Sequence, residues 1–254
     1  MRVVVLLKEV PDTYGDRALN LSTGLTVRDE GEQVLDEITE RAVEAALNLP
    51  EAEVVVVAMG PDSLAAAMRK ALAMGADRAV HVNDPALVGA DLTLTAQVLA
   101  AVAQREEAEL VIAGNVSTDG GGGVVPAMLA ELLGMPHLTQ LATLEVADGT
   151  VTGRRVTEDE ALELSAPLPA VVSVTEAFAE ARFPNFKGIM AAKKKPFDVL
   201  SLSDLGIDAE DFTVPRAIMT AVSQRPPREA GTKIVDDGDA AEQLAEYLVR
   251  NHLA

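Results

Sequence analysis

Short runs of β-branched and aliphatic residues constrain this chain more than any other feature: "RVVVLLKEV" (2–10), "EVVVVAMG" (53–60), "RAVHV" (78–82) and "ELVIAG" (109–114). Each is apolar with little alternation, the pattern of a strand buried on both faces. Helical periods lie between them. Leu64, Met68 and Leu72 recur at i, i+4 and i+8, and so do Leu94, Val98 and Val102. Residues 36–49 place Ile38, Ala42, Ala45, Ala46 and Leu49 on one stripe. Strand alternating with helix predicts βαβ units and a Rossmann-like α/β fold with a mostly parallel sheet. Right-handed crossovers then put helices on both faces.

The pattern changes after residue 140. "ATLEVADGTVTGRRV" predicts a hairpin turning at Asp148-Gly149. "ALELS" and "AVVSV" add two strands, and 178–198 reads as a loop leading into a short helix. Residues 199–229 show little periodicity, with Pro226-Pro227 in an extended linker. Residues 239–253 form an amphipathic helix with Leu244, Tyr247 and Leu248 close on one face. The expected organisation is an α/β domain over 1–200, followed by an extended C-terminal arm, 201–254, that packs on a partner.

Composition narrows the function. Only 3% of residues are aromatic while 48% are hydrophobic, so the core must be built from Val, Leu, Ile and Ala. The net charge of −19 repels phosphate backbones and anionic lipid, which argues against nucleic acid as a partner. With no cysteine, thiolate metal sites, disulfides and cysteine nucleophiles are excluded. His81, His137 and His252 show no ligand spacing, so no metal site is expected. No apolar stretch reaches the ~18 residues of a membrane span, and "VVVLL" (3–7) runs directly into Lys8-Glu9, unlike a signal peptide. The chain reads as cytoplasmic, with no direct membrane insertion. The acidic groups Glu106-Glu107 and Glu158-Asp159-Glu160 pair with no base or nucleophile in the sequence. No catalytic constellation is found.

"GNVSTDGGGGVVPAML" (114–129) follows a strand and restarts as a helix, with Gly120, Gly121, Gly122 and Gly123 at the turn. In an open α/β sheet, ligands bind beyond the carboxyl ends of the strands. Glycines admit close backbone approach, and a helix start near Val124-Val125-Pro126 offers free N–H groups to a phosphate. Neither standard phosphate motif is present: no Lys-Ser/Thr follows the glycines, and the third glycine of a dinucleotide fingerprint is missing. Asp119 stands where a bare phosphate would be repelled; it caps a helix or accepts a ribose hydroxyl instead. Local sequence leaves nucleotide site and mobile surface loop at even odds. "KEVPDTYGD" (8–16) carries a Pro11-Asp12 turn on the same side of the sheet. "ARFPNFKGIMAAKKK" (181–195) sets Phe183, Phe186 and Ile189 beside Arg182, Lys187, Lys193, Lys194 and Lys195. It reads either as a helix whose lysines complement its dipole or as a docking segment with an apolar anchor in a basic rim.

Taken together, "LLKEVPDT" (6–13), "VLDEITERAVEAAL" (34–47), "KALAMGADRAVHV" (70–82), "LVIAGNVSTDGGGGVVPAMLAELLGMP" (110–136), "LPAVVSV" (168–174) and residues 181–195 resemble the β subunit of electron-transfer flavoprotein over essentially the whole chain. The last of these is the family's signature segment. The resemblance implies an adenine-nucleotide α-hydrolase-like fold and one half of an αβ heterodimer. Such a heterodimer carries electrons from flavin dehydrogenases, such as the acyl-CoA dehydrogenases of fatty acid oxidation, to a quinone oxidoreductase. It is an electron carrier, not an enzyme, with its redox FAD held mainly by the α subunit. The β subunit holds AMP, or a second FAD in bifurcating members. Carried over by position, the nucleotide contacts fall on Leu6, Asp36, Glu37, Ile38, Thr39, Met59, Gly114, Asn115, Ser117, Thr118, Asp119, Gly120, Gly121, Gly122, Gly123, Val124 and Val125. Docking falls on Arg182, Phe183, Phe186, Lys187, Ile189, Lys193, Lys194 and Lys195.

The chain departs from the family pattern at four places, one of them the phosphate loop, where Val116 and then Asp119-Gly120-Gly121 stand for the frequent Gln and Asp-x-Asp pattern. Asp36-Glu37-Ile38 stands for the usual Asn-Pro-Phe, where Asp36 can accept adenine or ribose hydrogen bonds but cannot donate them. A flavin-steadying Glu falls at Val156, with Glu158 two residues on, and Phe186 stands for the usual Leu anchor. A rival of another class is a nucleotide-sensing, stress-protein-like homodimer with neither flavin nor α partner.

Overall fold

The computed structural model describes residues 1–254 except Asp16, Asp29, Glu30, Glu229 and Ala254. In chain order its strands are β1 (Arg2–Leu6), β2 (Glu9–Pro11), β3 (Gln33–Leu35), β4 (Glu53–Met59), β5 (Arg78–Val82), β6 (Leu110–Gly114), β7 (His137–Ala147), β8 (Thr150–Val156), β9 (Ala161–Pro167), β10 (Ala170–Val174) and β11 (Phe197–Leu200). Its α-helices are α1 (Glu37–Leu47), α2 (Leu64–Met74), α3 (Leu92–Arg105), α4 (Val125–Leu133), α5 (Phe186–Ala192) and α6 (Ala240–Arg250). Among the described residues, nine strands form one sheet in the order β11-β5-β4-β1-β6-β10-β7-β8-β9, and β2 pairs with β3 apart from it. The sheet is parallel from β11 to β7 and antiparallel from β7 to β9.

The apolar runs behave as their composition requires. Val3 and Val5 of β1 pack with Ala42, Val43, Ala46, Met68 and Leu72 of α1 and α2. Val4 and Leu6 point the other way, toward Leu94, Val98, Val102 and Leu129 of α3 and α4. Because helices cover both faces, alternate side chains enter different cores and neither set is polar. The hairpin forms where expected: Asp148 and Gly149 both have left-handed φ, 49° and 71°. Two such residues make the turn whose twist matches the flanking strands.

Two strand placements are not visible in local sequence. β10 returns between β6 and β7, parallel to both, and all of Ala170–Val174 is buried. β11 arises at the edge of residues 199–229, which lack periodicity, and extends the sheet beside β5. The chain divides into two units, Met1–Thr220 and Ala221–Ala254. The first extends past residue 200: Leu202 is buried, the Ala217 amide donates to Asp91 Oδ2 at 2.6 Å, and Arg216 donates to Gln97 Oε1 at 2.7 Å. The second carries α6, whose Leu244 and Tyr247 are about half exposed. Among the described residues, no helix is long and apolar enough to cross a membrane.

The sheet order positions the site. From β1 the chain steps outward to β4 and β5 through α1 and α2 on one face. It then crosses on the other face through α3 to β6, on the opposite side of β1. The direction reverses between β1 and β6, and in open α/β sheets ligands bind at such a reversal, beyond the carboxyl ends of the strands.

Candidate functional site

Leu6, Met59 and Gly114 end three neighbouring parallel strands, β1, β4 and β6. The start of α1 closes tightly on this edge: a Cβ added to Gly114 would stand 3.0 Å from Ile38 Cγ2. Asp36 caps α1, its Oδ1 accepting from the Ile38 amide at 3.0 Å. Its Oδ2 accepts from the Thr118 amide at 2.7 Å and from Thr118 Oγ1 at 3.0 Å. Thr39 Oγ1 donates back to the Asp36 carbonyl at 2.8 Å. Asp36 is 1% exposed. Its carboxylate joins the first turn of α1 to the glycine loop and sets the spacing between them. Glu37 beside it is exposed.

The glycine loop is folded by its own backbone. The Gly121 amide donates to the Ser117 carbonyl at 2.9 Å, and the Gly120 amide to Asp119 Oδ1 at 2.6 Å. Gly121 and Gly123 take left-handed φ, +62° and +66°, which flank Gly122 in an ordinary conformation. Such alternation turns successive N–H groups toward a common concavity. α4 begins at the end of the loop with Val124 as N-cap, where no side chain caps the first amides, and Pro126 in the first turn. Asn115 donates its amide to Val174 O at 2.8 Å, yet its side-chain Oδ1 is buried without a hydrogen-bond partner.

Charge reaches the loop from outside it. Lys8, two residues beyond β1, donates to Asp119 Oδ1 at 2.7 Å and to Ser117 Oγ at 3.1 Å. Arg28 donates to Asp119 Oδ2 at 2.6 Å, and Arg17 to the Thr118 carbonyl. Burial works to raise the Asp119 carboxyl, but hydrogen bonds from Lys8 and Arg28 outweigh it and hold the group well below the usual carboxylate range. Asp119 is thus not the bare repulsive charge its sequence position suggests. Sequence reasoning missed these three cations. Only Lys8 carries a local signal, by following the first strand directly; Arg17 and Arg28 carry none.

Residues 181–195 lie on α1 and α2. Arg182 donates to Glu44 through Nε at 2.7 Å, Nη2 at 2.9 Å and its backbone amide at 3.1 Å, and reaches Asn48 Oδ1 at 2.8 Å. Asn185 caps α5, accepting from Gly188 N at 2.8 Å. Gly188 is required there, because a Cβ would stand 2.3 Å from the Ala73 carbonyl oxygen of α2. Lys195 Nζ donates to Leu72 O at 3.0 Å, Gly75 O at 3.1 Å and Ala76 O at 2.6 Å, closing the C-terminus of α2. Burial lowers its pKa, while Asp77 works to raise it. The expected docking set therefore separates: Arg182 and Lys195 are engaged by this chain's own groups. Phe183 (92%), Phe186 (80%) and Ile189 (46%) stand in solvent with Lys187, Lys193 and Lys194 exposed. A groove of about 540 Å³ runs beside them, lined by Ala66, Ala73, Pro184 and Ile189 together with Arg69, Lys70 and Lys193. Val156 is half exposed at the end of β8, and Glu158 follows it in an exposed turn.

The family model for the electron transfer flavoprotein domain matches residues 24–205. The electron transfer flavoprotein subunit beta of Mycobacterium leprae is 47% identical, with 97% of each chain covered. The chain belongs to the electron transfer flavoprotein β-subunit family. The subunit of the same name from Bacillus subtilis is 34% identical, with 98% of this chain and 96% of that one covered. The caffeyl-CoA reductase–Etf complex subunit CarD of Acetobacterium woodii is 30% identical, with 98% and 97% covered. Electron transfer is the role of this family, and the electron transfer flavoprotein domain takes in both the glycine loop and residues 181–195.

Proposed function

We propose that the chain is the nucleotide-holding half of a heterodimeric electron carrier. It pairs with an α subunit that carries the redox FAD, receives electrons from flavin dehydrogenases and passes them to a quinone oxidoreductase. The FAD supplies the redox chemistry when bound; no side chain of this chain is asked to do chemistry. The ligand assigned to this subunit is an adenine nucleotide: AMP, or the corresponding half of a second FAD.

One observation carries the reading. Leu6, Asp36–Thr39, Met59 and Gly114–Val125 converge on the carboxyl edge of the sheet where strand order reverses. The polar groups there fit a phosphorylated nucleotide: loop amides and an uncapped helix start as donors and, in Asn115 Oδ1, a buried acceptor with no donor among the described residues. Backbone amides after Gly121, up to Val125, would hold phosphate, and Asn115 would accept from a ribose hydroxyl or an amino group.

Docking is assigned to Phe183, Phe186 and Ile189, with Lys187, Lys193 and Lys194 as the basic rim. An apolar anchor within a rim of charge suits a partner that must bind briefly and release.

The test is the purified αβ complex. Its visible spectrum shows a flavin band, and acid release followed by mass spectrometry gives one adenine nucleotide per heterodimer beyond the redox FAD. A complex that releases only one FAD and no second nucleotide rejects the β site.

A further inference from the structure

Asp119 is almost wholly enclosed by groups of this chain. Its side chain is 4% exposed. Its carboxylate takes a lysine ammonium at 2.7 Å, a guanidinium at 2.6 Å and the amide of the first loop glycine at 2.6 Å. A cationic nitrogen, a planar fork and a backbone N–H of a glycine turn are the donors that bind a phosphate oxygen. Lys8 and Arg28 are only partly covered, with side chains 42% and 40% exposed. Among the described contacts, Lys8 uses two of its three donors, which leaves one for a ligand. Lys8, Arg17 and Arg28 gather around residues 117–119, with Asp119 between Lys8 and Arg28, so cations are brought to the loop of a chain whose net charge is −19.

We propose that the loop is a self-occupied anion site: Asp119 holds from within the chain the donors Lys8 and Arg28 that read the phosphate of a bound nucleotide. The inference rests on the nucleotide reading above and goes beyond it by naming which side chains select for the phosphate. No lysine follows the glycines, and none is needed, because the charge is delivered by the residues just after β1 and by the segment before β3. Carboxylate and phosphate compete for one set of donors. Removing the cations and removing the internal anion must therefore act in opposite directions. A cluster that only braces the loop makes the opposite demand, since losing any member would loosen it.

The native heterodimer, equilibrated with equal concentrations of isotopically labelled AMP and adenosine, reports the selectivity directly as the ratio of labels retained. Lys8→Met and Arg28→Met should each lower the AMP-to-adenosine ratio by about tenfold, the loss of a charge-assisted hydrogen bond. Lys8→Arg, which keeps the charge, should restore it. Asp119→Asn should hold or raise the ratio. The parental ratio should fall as sodium chloride increases. Unchanged ratios in both methionine variants, or an Asp119→Asn loss as large as theirs, would overturn the proposal. So would equal retention of AMP and adenosine by the parent, which leaves the nucleotide reading standing. Retention of neither label would remove both.

Discussion

The guanidinium of Arg182 lies against the carboxylate of Glu44 in a two-point contact, Nε to Oε2 at 2.7 Å and Nη2 to Oε1 at 2.9 Å, across 138 residues of sequence. This pair fastens the beginning of the 181–195 segment to the middle of α1. The exposed aromatic residues that follow are thereby held on a fixed base.

The pair makes stability depend on pH in a defined direction. The hydrogen bond from Arg182 lowers the Glu44 pKa, against the raising effect of burial. A lowered folded-state value means that the stabilisation is fully present above the ordinary glutamate range and is lost as pH falls through the folded value. Glu44→Gln should cost about 2 kcal/mol at pH 7. The difference from the parent should hold down to about pH 5 and shrink below about pH 4. Thermal unfolding of the heterodimer across that range checks it; a pH-independent difference would mean that packing, not charge, dominates.

Two glycine variants separate strain from ligand approach. Gly121→Val places a β-branched residue at φ +62°, a strain of about 1–2 kcal/mol, although nothing lies within 4 Å of the new Cβ. Gly122→Val has ordinary φ and its nearest neighbour, Leu92 Cδ1, at 4.0 Å, so the fold should tolerate it. Both should release nucleotide, but only the first should also lower the melting temperature of the nucleotide-free complex. Full nucleotide content in Gly122→Val would place the phosphate elsewhere.

Truncating Phe186, 80% exposed, should leave folding and FAD content unchanged. Dehydrogenase affinity should fall by about 2 kcal/mol, about 30-fold, as read by stopped-flow flavin reduction. Charge reversal at Lys193 and Lys194 should act on association rate and salt dependence. Lys195→Met should behave differently, lowering stability by about 1–2 kcal/mol while the folded fraction transfers electrons normally. Equal effects of all three lysines on docking would contradict the division seen in the structure.

The C-terminal unit begins at Ala221, and the side of α6 that carries Leu244 and Tyr247 is half exposed. The α subunit proposed as partner gives this side of the helix a surface to pack on. Deleting 226–254 should leave the first unit folded by circular dichroism and weaken assembly with the α subunit. An unchanged dissociation constant for the truncated chain would show that the arm is dispensable.

Local chemistry alone determined the strands at 2–10, 53–60, 78–82 and 109–114, the helices between them, the Asp148-Gly149 turn and the glycine loop at a carboxyl strand end. Each is written in neighbouring residues: a run without polar alternation, a period of 3.6, or a left-handed position that glycine fills. The family resemblance chose the docking reading of the 181–195 segment over that of a lysine-capped helix. Tertiary structure decided the rest. β10 inserts between β6 and β7, and β11 joins β5, because strand pairing satisfies backbone donors without regard to distance along the chain. Glu44 reads in sequence as one more acid on a helix, and Asp119 as a charge that repels phosphate. Arg182 and Lys195 read as a basic rim. Each acquired its role from a partner about 90 to 140 residues away, or from carbonyls exposed where α2 ends. An ion pair has no period and no motif. It exists only where folding brings opposite charges into a place that water has left.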